Sequence, residues 1–189
     1  MIVVCSLSDF NSVCDSIKPS HAISVIDPGF EPNTPSGVSN HLKLGFDDII
    51  NISDDGPLYR VPGKNSHIEQ TLFSESNALS IVEFVNSWKQ DKPIVIHCWC
   101  GISRSMATAT YIMCFNEKKN IDRNIRYIRK IAPHANPNKL MLSFFEKILR
   151  TNDEITKGFD KYPYKTSYDC ENNFAPVTIF DINDMKKYK

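Results

Sequence analysis

The sequence has no long apolar segment and no excess of charge of either sign. None of its apolar runs approaches the roughly 18 residues that a membrane-spanning helix needs, and the stretch Met1 to Phe10 lacks the basic flank and the length of a secretory signal. Lysine and arginine total 22, and aspartate and glutamate also total 22. We therefore expect no membrane span, and no nucleic acid or membrane surface bound through bulk charge.

Cysteines are few, and their distribution differs from that of a disulfide scaffold. The six of them lie mostly inside apolar runs, at positions 5, 14, 98, 100, 114 and 170. Small secreted domains instead carry their cysteines densely in loops. We therefore expect free thiols and a cytoplasmic location, where thiols stay reduced.

Internal repeats are also absent, and the length suits one domain. A chain of 189 residues, 41% of them hydrophobic, can bury a sizeable core. We predict a principal domain over residues 1–150, and an extension over residues 151–189 that packs on it or is partly flexible. The extension shows no sustained periodicity, although Val177–Ile182 has the composition of an edge strand.

Apolar periodicity predicts strands that alternate with helices. Strands are predicted at Ile2–Leu7, Ala22–Ile26, His41–Phe46 and Ile94–His97. Helices are predicted around Phe10–Ile17, Ala78–Trp88 (capped by Ser74 or Ser76 and stopped by Pro93), Ser105–Phe115, Ile121–Ile128 and Leu140–Leu149. The expected fold class is α/β, with a central, mainly parallel sheet of four to five strands flanked by helices.

One stretch between the predicted central strand and the buried helix carries a chemical pattern. It reads Ile96-His97-Cys98-Trp99-Cys100-Gly101-Ile102-Ser103-Arg104-Ser105. The free N–H groups and positive dipole end at a helix amino terminus favour an anion, and Gly101 lets the preceding loop turn its N–H groups inward. Cys98 would face this positive end beside Arg104, which favours the nucleophilic thiolate form. The sequence therefore predicts a phosphate-binding loop with a cysteine nucleophile.

Neighbouring side chains fit the same chemistry. Arg104 offers a planar, permanently charged fork that can hold two phosphate oxygens. The Ser105 hydroxyl would lie near the sulfur and stabilise it as a leaving group. His97 is expected to orient the loop by hydrogen bonding.

Displacement of an alcohol or phenol from phosphorus also needs a general acid on the opposite side. Asp48 follows the third predicted strand, on a loop able to cover the pocket, and is the favoured acid. Asp47, Asp54 and Asp55 are the alternatives.

The stretch from His97 to Ser105 resembles the active-site signature of the protein tyrosine phosphatase superfamily, which is His-Cys, five residues, Arg, then Ser or Thr. The form of Gly101 to Ser105 is similar to the dual-specificity branch, and Asn138 follows Pro137 as in a pair that braces the acid loop there. The resemblance covers roughly residues 2 to 150, implies a phosphatase catalytic domain over residues 1–150, and places the acid on Asp48. It implies phosphate binding by the loop residues Cys98, Trp99, Cys100, Gly101, Ile102, Ser103 and Arg104.

Three features depart from that family pattern. Asp48 precedes Cys98 by 50 residues (98 − 48), which implies an insertion around Asn51–Gln70. Cys100 stands where alanine is usual, either as a small residue that fits or as a thiol that traps an oxidised Cys98. Residues 151–189 have no recognised counterpart.

Two other interpretations concern metals and charge. His97, Cys98 and Cys100 could be three metal ligands, but no second Cys or Cys/His pair completes a structural zinc site. A basic group lies at helical spacing opposite the isoleucines and is predicted to be a solvated helix face; it comprises Arg123, Arg126, Arg129 and Lys130.

The resemblance implies an enzyme that hydrolyses phosphomonoesters through a phosphocysteine, with no metal or other cofactor. The expected partner is a phosphorylated protein or peptide, with phosphotyrosine as the main target and phosphoserine and phosphothreonine as further ones. Trp99 and Ile102 are not lysines, which disfavours a phosphoinositide substrate. The alternative is a phosphoprotein-binding module of the same fold, with weak turnover because the insertion displaces the acid.

Overall fold

A computed structural model of the chain describes residues 1–52, 70–168 and 175–189. Strands within these ranges are β1 (Ile2–Cys5), β2 (His21–Ile26), β3 (Asn40–Gly45), β4 (Ile94–His97) and β5 (Thr178–Phe180). Helices are α1 (Phe10–Ile17), α2 (Glu75–Ser87), α3 (Arg104–Asn116), α4 (Ile121–Ile131), α5 (Lys139–Leu149), α6 (Glu154–Lys161) and α7 (Ile182–Lys187).

The strands form one sheet in the order β3-β2-β4-β1-β5. The first four run parallel, and β5 pairs antiparallel with β1 at the edge. This confirms the predicted class of a mainly parallel sheet flanked by helices. Because parallel strands end at the same edge, residues that follow β2, β3 and β4 can converge on one site there.

Side chains alternate between two apolar layers across the sheet. On one face α1 packs through Phe10, Val13 and Cys14 against residues such as Val3 and Val95. The other face carries the larger core, in which α3 packs against the sheet and α5. Helix α3 is buried from Arg104 to Cys114, as its apolar sequence predicted. The central strand and this buried helix hold the loop between them.

Most predicted elements lie within one or two residues of the observed ones. Ser74 rather than Ser76 caps α2, through a reciprocal pair of hydrogen bonds with Asn77. Pro93 does not stop this helix, which ends at Ser87 with Trp88 as its C-cap. The Trp88 indole N–H donates to the Lys92 carbonyl, so the turn after α2 closes before Pro93 is reached.

The extension after residue 150 contains structure that its sequence did not predict. Helix α6 packs on α4 and α5, and α7 packs on α4. Strand β5 lies within the stretch predicted as an edge strand, but is shorter. The described part of the extension thus contributes an edge strand and two helices to the folded unit.

Arg129 corrects the prediction of a solvated basic face. It is only 9% exposed, and its guanidinium donates to the carbonyls of Pro133, Ala135 and Tyr162. This arginine therefore ties α4 to the segments that follow α4 and α6. Within the described ranges, no helix is long and apolar enough to cross a membrane.

Candidate active site

Cys98 lies directly after β4, at the carboxyl end of the central strand and before the amino terminus of α3. Its side chain is buried, and its sulfur is 3.1 Å from the Ser105 hydroxyl oxygen. The Gly101 N–H donates to the same sulfur over 3.3 Å. The first N–H groups of a helix have no acceptor within it, so the sulfur lies near a positive dipole end and accepts an N–H bond. Both features place hydrogen-bond donors or partial positive charge around the sulfur.

The loop between Cys98 and Arg104 is held by its carbonyl oxygens. Three of them accept hydrogen bonds from groups outside the loop: Cys98 from the His97 ring, Trp99 from the Leu7 N–H, and Ile102 from the Asn136 N–H. In a trans peptide the following N–H points opposite to the carbonyl. The N–H groups of Trp99, Cys100 and Ser103 are thereby aimed away from these anchors, which is how a backbone anion cradle is built.

Gly101 is required by the shape of this loop. Its φ of +75° is a backbone conformation that side chains disfavour. An added Cβ would also lie 3.1 Å from the Cys5 carbonyl carbon and 3.2 Å from its oxygen. Only glycine lets the loop pass this close to the end of β1.

Arg104 begins α3 and is buried, with 2% of its surface exposed. One terminal nitrogen, Nη1, donates to the Asp27 carboxylate and to the Phe46 carbonyl, each over 2.6 Å. Its Nε is buried and has no hydrogen-bond partner among the described residues, and it lies 3.7 Å from an Asp48 oxygen. The guanidinium is therefore anchored through Nη1, while Nε keeps a hydrogen that is not donated to any described residue.

Asp48 is brought from the end of β3 to the loop. Its Oδ1 accepts hydrogen bonds from the Ser103 hydroxyl and the Asn138 amide, both over 2.8 Å. Asn138 also donates to the Ile49 carbonyl over 3.3 Å. Three groups thus hold Asp48 beside the cysteine loop: Ser103, Asn138 and the Arg104 guanidinium.

The alternative acids are placed differently or lie outside the described residues. Asp47 exchanges hydrogen bonds with Thr71, through its own N–H and through a carboxylate oxygen. Asp54 and Asp55 fall outside the described residues, as does most of the proposed insertion. Among the described candidates, Asp48 is therefore the carboxylate that contacts the loop.

The other cysteines are chemically distinct from Cys98. Burial raises the pKa of Cys5, raises that of Cys14 to about 11 and raises that of Cys114 to about 12. All three are free thiols, as is Cys98. These three cysteines therefore remain protonated and weakly nucleophilic at neutral pH.

Cys100 corrects the expectation of free thiols throughout, because it is disulfide-bonded. Its partner is not Cys98, which is free. Cys170 lies outside the described residues. In this structure, therefore, Cys100 does not trap the proposed nucleophile.

Asp27 is the functional candidate that the sequence interpretation missed. The Asp27 carboxylate is the closest acidic partner of Arg104, at 2.6 Å from Nη1. The sequence did contain a feature that could have identified Asp27. This residue directly follows β2, the strand that pairs in parallel with β4. Residues at the carboxyl ends of neighbouring parallel strands meet at one edge of the sheet.

Two histidines behind the loop are held in their neutral form. Burial lowers the pKa of His97 to about 4, and the positive charge of Arg104 adds to this effect. Burial, with a contribution from Lys43, lowers the pKa of His41 to about 4. Both values lie below the ordinary 6.5, so neither imidazole is charged in the folded protein at neutral pH.

We expect these histidines to make the fold sensitive to mild acid. Between pH 6.5 and pH 4 the unfolded chain binds protons at His97 and His41 while the folded chain does not, so stability falls as the pH falls. For His97 alone, the free energy of unfolding should drop by about 2 kcal/mol between pH 7 and pH 4.5. Urea unfolding at several pH values measures this slope, and His41→Gln should reduce it. An unchanged slope in that variant would contradict the assignment for His41.

The described residues do not support the alternative in which His97, Cys98 and Cys100 bind a metal ion. No group of three or more His, Cys, Asp or Glu side chains there is arranged to hold a metal ion. His97 instead donates from its ring to the Cys98 carbonyl.

Comparison of the structure with solved structures shows where this fold occurs. The Yvh1 phosphatase domain from Chaetomium thermophilum has a TM-score of 0.56 at 16% identity, covering 82% of this chain and 93% of that domain. DUSP15 has a TM-score of 0.54 at 13% identity, covering 87% and 94%. PTPMT1, solved in complex with PI(5)P, has a TM-score of 0.54 at 15% identity, covering 83% and 93%. These identities show a shared fold.

At the level of sequence, no curated protein matches the chain. A family model described as the dual specificity phosphatase catalytic domain matches residues 37–148, which is more than half of the chain and includes both Asp48 and the cysteine loop. The chain therefore belongs to the family of dual specificity phosphatase catalytic domains.

Proposed function

We propose that this protein hydrolyses phosphomonoesters through a covalent phosphocysteine formed on Cys98. The observation that carries the proposal is the surroundings of the sulfur, which lies at the amino terminus of α3 and contacts Ser105 and the Gly101 N–H. The buried Arg104 adds an Nε that makes no hydrogen bond to the described residues and lies 3.7 Å from an Asp48 oxygen. Such a set of donors suits a phosphate dianion whose charge is spread over three equatorial oxygens during transfer.

In the first step, the Cys98 thiolate attacks phosphorus and the bond from phosphorus to the ester oxygen breaks. Asp48, protonated beforehand, gives its proton to the departing oxygen, which leaves as a neutral alcohol or phenol. Arg104 and the loop N–H groups hold the three equatorial oxygens. The product is a thiophosphate ester on Cys98 with Asp48 as a carboxylate.

In the second step, water attacks the phosphorus and the bond from phosphorus to sulfur breaks. Asp48 now accepts a proton from the water, and the sulfur leaves as a thiolate. The Ser105 hydroxyl, 3.1 Å from the sulfur, donates to it and stabilises this leaving group. Inorganic phosphate departs and both groups return to their starting protonation states.

The substrate we propose is phosphotyrosine in proteins or peptides, with phosphoserine and phosphothreonine as further targets. Trp99, the loop residue after Cys98, is partly exposed and lies with its ring 5.2 Å from that of Phe30. Such an aromatic pair can pack against a phenyl ring. Neither Trp99 nor Ile102 supplies the positive charge that an inositol polyphosphate would favour.

We also propose a cytoplasmic location. The nucleophile must be a reduced thiol, and thiols persist in reducing compartments. Cys98 is free in this structure, which is the form that the proposed reaction uses, whereas the disulfide at Cys100 is a bond that a reducing compartment disfavours.

The testing experiment compares two substrates that differ in their need for an acid. Para-nitrophenol leaves without protonation, whereas the phenol of a phosphotyrosine peptide leaves less readily. We expect vanadate-sensitive hydrolysis of both without added metal. We expect Asp48→Asn to lower kcat on the peptide by about 10² to 10⁴, with a loss at least about tenfold smaller on para-nitrophenyl phosphate.

Asp47→Asn is the matched control, because Asp47 precedes Asp48 but bonds to Thr71 instead of the loop. It should leave the ratio between the two substrates unchanged. Equal losses on both substrates in Asp48→Asn would remove Asp48 from the role of acid. No wild-type turnover of either substrate, with phosphopeptide binding intact, would favour the binding module over the enzyme.

A further inference from the structure

A row of polar side chains crosses the otherwise apolar α1 face of the sheet and ends at the Cys98 carbonyl. Thr34 Oγ1 is 3.0 Å from His41 Nδ1, and His41 Nε2 is 2.7 Å from Ser24 Oγ. Ser24 Oγ is 2.6 Å from His97 Nε2, and His97 Nδ1 is 3.2 Å from the Cys98 carbonyl oxygen. The chemistry proposed above assigns no role to Thr34, His41 or Ser24.

The register of the sheet produces this row. Ser24 in β2 lies directly opposite His97 in β4. His41 in β3 is opposite Ala22, two residues before Ser24, and so lies diagonally across from the serine. The Phe10 ring of α1 covers both imidazoles, with centroid distances of 4.1 Å to His97 and 5.5 Å to His41. A charged imidazole is therefore disfavoured at either position.

The direction of the hydrogen bonds follows from the last acceptor. A carbonyl oxygen can only accept, so His97 Nδ1 carries a hydrogen. In a neutral imidazole the other nitrogen is then an acceptor, so the Ser24 hydroxyl donates its single hydrogen to His97 Nε2. Ser24 must in turn accept from His41, which places the hydrogen of His41 on Nε2. His41 Nδ1 is left to accept from the Thr34 hydroxyl.

We infer that Ser24 and His41 are positioning residues that fix the tautomer of His97 and, through it, the orientation of the peptide after Cys98. The inference deepens the proposed function, since it rests on Cys98 as the nucleophile. With the hydrogen on Nδ1, His97 holds the Cys98 carbonyl away from the loop interior. The Trp99 N–H then points into the cradle, because the two groups of a trans peptide are opposed.

The opposite tautomer would break this arrangement. A lone pair on His97 Nδ1 would face the lone pairs of the Cys98 oxygen, and the peptide would lose its anchor. Removal of Ser24 takes away the donor that specifies the correct tautomer. The loop would then lose the fixed orientation of one N–H donor that the transition state needs.

The tautomers can be read directly by two-bond proton–nitrogen NMR correlation on protein labelled with ¹⁵N-histidine. At neutral pH we expect wild-type His97 to show a protonated Nδ1 and an unprotonated Nε2, and His41 to show the reverse. Either histidine in the other tautomer, or in the charged form, would overturn the inference. This measurement requires no turnover. Its result therefore tests the tautomers even if the protein proves to have no phosphatase activity.

Variants then test the effect on the site. In Ser24→Ala we expect a mixture of His97 tautomers, slower iodoacetamide alkylation of Cys98, and a kcat lowered roughly tenfold to a hundredfold with a smaller change in KM. Ser24→Thr keeps the hydroxyl and should restore the wild-type tautomer. Ser143→Ala, which removes a helix hydroxyl bonded to Leu140, is the control and should change none of these. A wild-type tautomer and kcat in Ser24→Ala would overturn the role of Ser24.

If Ser24→Ala does not fold, two variants of His41 test the inference instead. His41→Gln keeps an N–H donor toward Ser24, whereas His41→Leu removes it. We expect His41→Leu to lower kcat several-fold more than His41→Gln. Equal kcat values in the two variants would overturn the role of His41.

Discussion

Cys98→Ser is expected to lower kcat on para-nitrophenyl phosphate by about four orders of magnitude or more, while phosphopeptide binding persists. A neutral hydroxyl is a far weaker nucleophile than a thiolate, and an alkoxide is a poorer leaving group when water attacks the phosphoenzyme. A serine hydroxyl is similar in shape to the thiol and can bond to the same two groups that contact the sulfur, the Ser105 hydroxyl and the Gly101 N–H. We therefore expect the loss to fall on turnover, measured by initial rates, and not on affinity, measured by calorimetry.

Cys14→Ser is the matched control for this loss. Cys14 is a free, buried thiol on α1, and burial raises its pKa to about 11. Its loss should cost stability without reducing kcat. If Cys98→Ser retained more than a tenth of the wild-type kcat, the nucleophile would have to lie elsewhere. If it lost phosphopeptide binding as well, with its melting temperature unchanged, the sulfur would be needed for the cradle itself.

The central strand, the loop and the buried helix could be predicted because their signals are contiguous. Ile94–His97 matches β4, and the apolar run after Arg104 matches α3. The cysteine, the glycine and the arginine that follow β4 lie within seven residues of one another. Their proximity in space is therefore set by local chain geometry, which sequence reasoning handles well.

The missed features depend on partners that are distant in sequence. Ser24 and His97 are 73 residues apart, and Arg104 and Asp27 are 77 apart. The two members of each pair come together only when the order of the strands and their register are set. Neither the order nor the register could be predicted from the apolar pattern of the sequence. Arg129 was misassigned for the same reason, because the carbonyls that bury it belong to segments beyond its own helix.

Helix α6 was not predicted, because Gly158 inside it weakens the helical pattern of the sequence. Gly158 lies inside this helix, where glycine normally weakens helix formation. An added Cβ there would lie 2.9 Å from Ile125 of α4. The residue that weakened the local helix signal is therefore what allows the two helices to approach closely.

Arg104→Lys is expected to lower kcat by about three orders of magnitude, although the positive charge is kept. Arg104 uses Nη1 to bind Asp27 and Phe46, while Nε, on another edge of the guanidinium, makes no hydrogen bond to the described residues and lies 3.7 Å from Asp48. A lysine ammonium is a single compact donor group and cannot span both sides. In the variant, a bond to Asp27 would withdraw the charge from the phosphate.

The same substitution separates charge from geometry as the basis of transition-state stabilisation. If charge alone mattered, Arg104→Lys would retain activity within about tenfold, and its vanadate affinity would match the wild type. If the anchored fork matters, both kcat and vanadate affinity fall together, because vanadate adopts the geometry of the transferring phosphoryl group. Arg126→Lys, at an exposed ion pair with Asp122 on α4, is the control and should change neither. A loss confined to stability, with kcat per folded molecule unchanged, would assign Arg104 a structural role and remove it from the proposed mechanism.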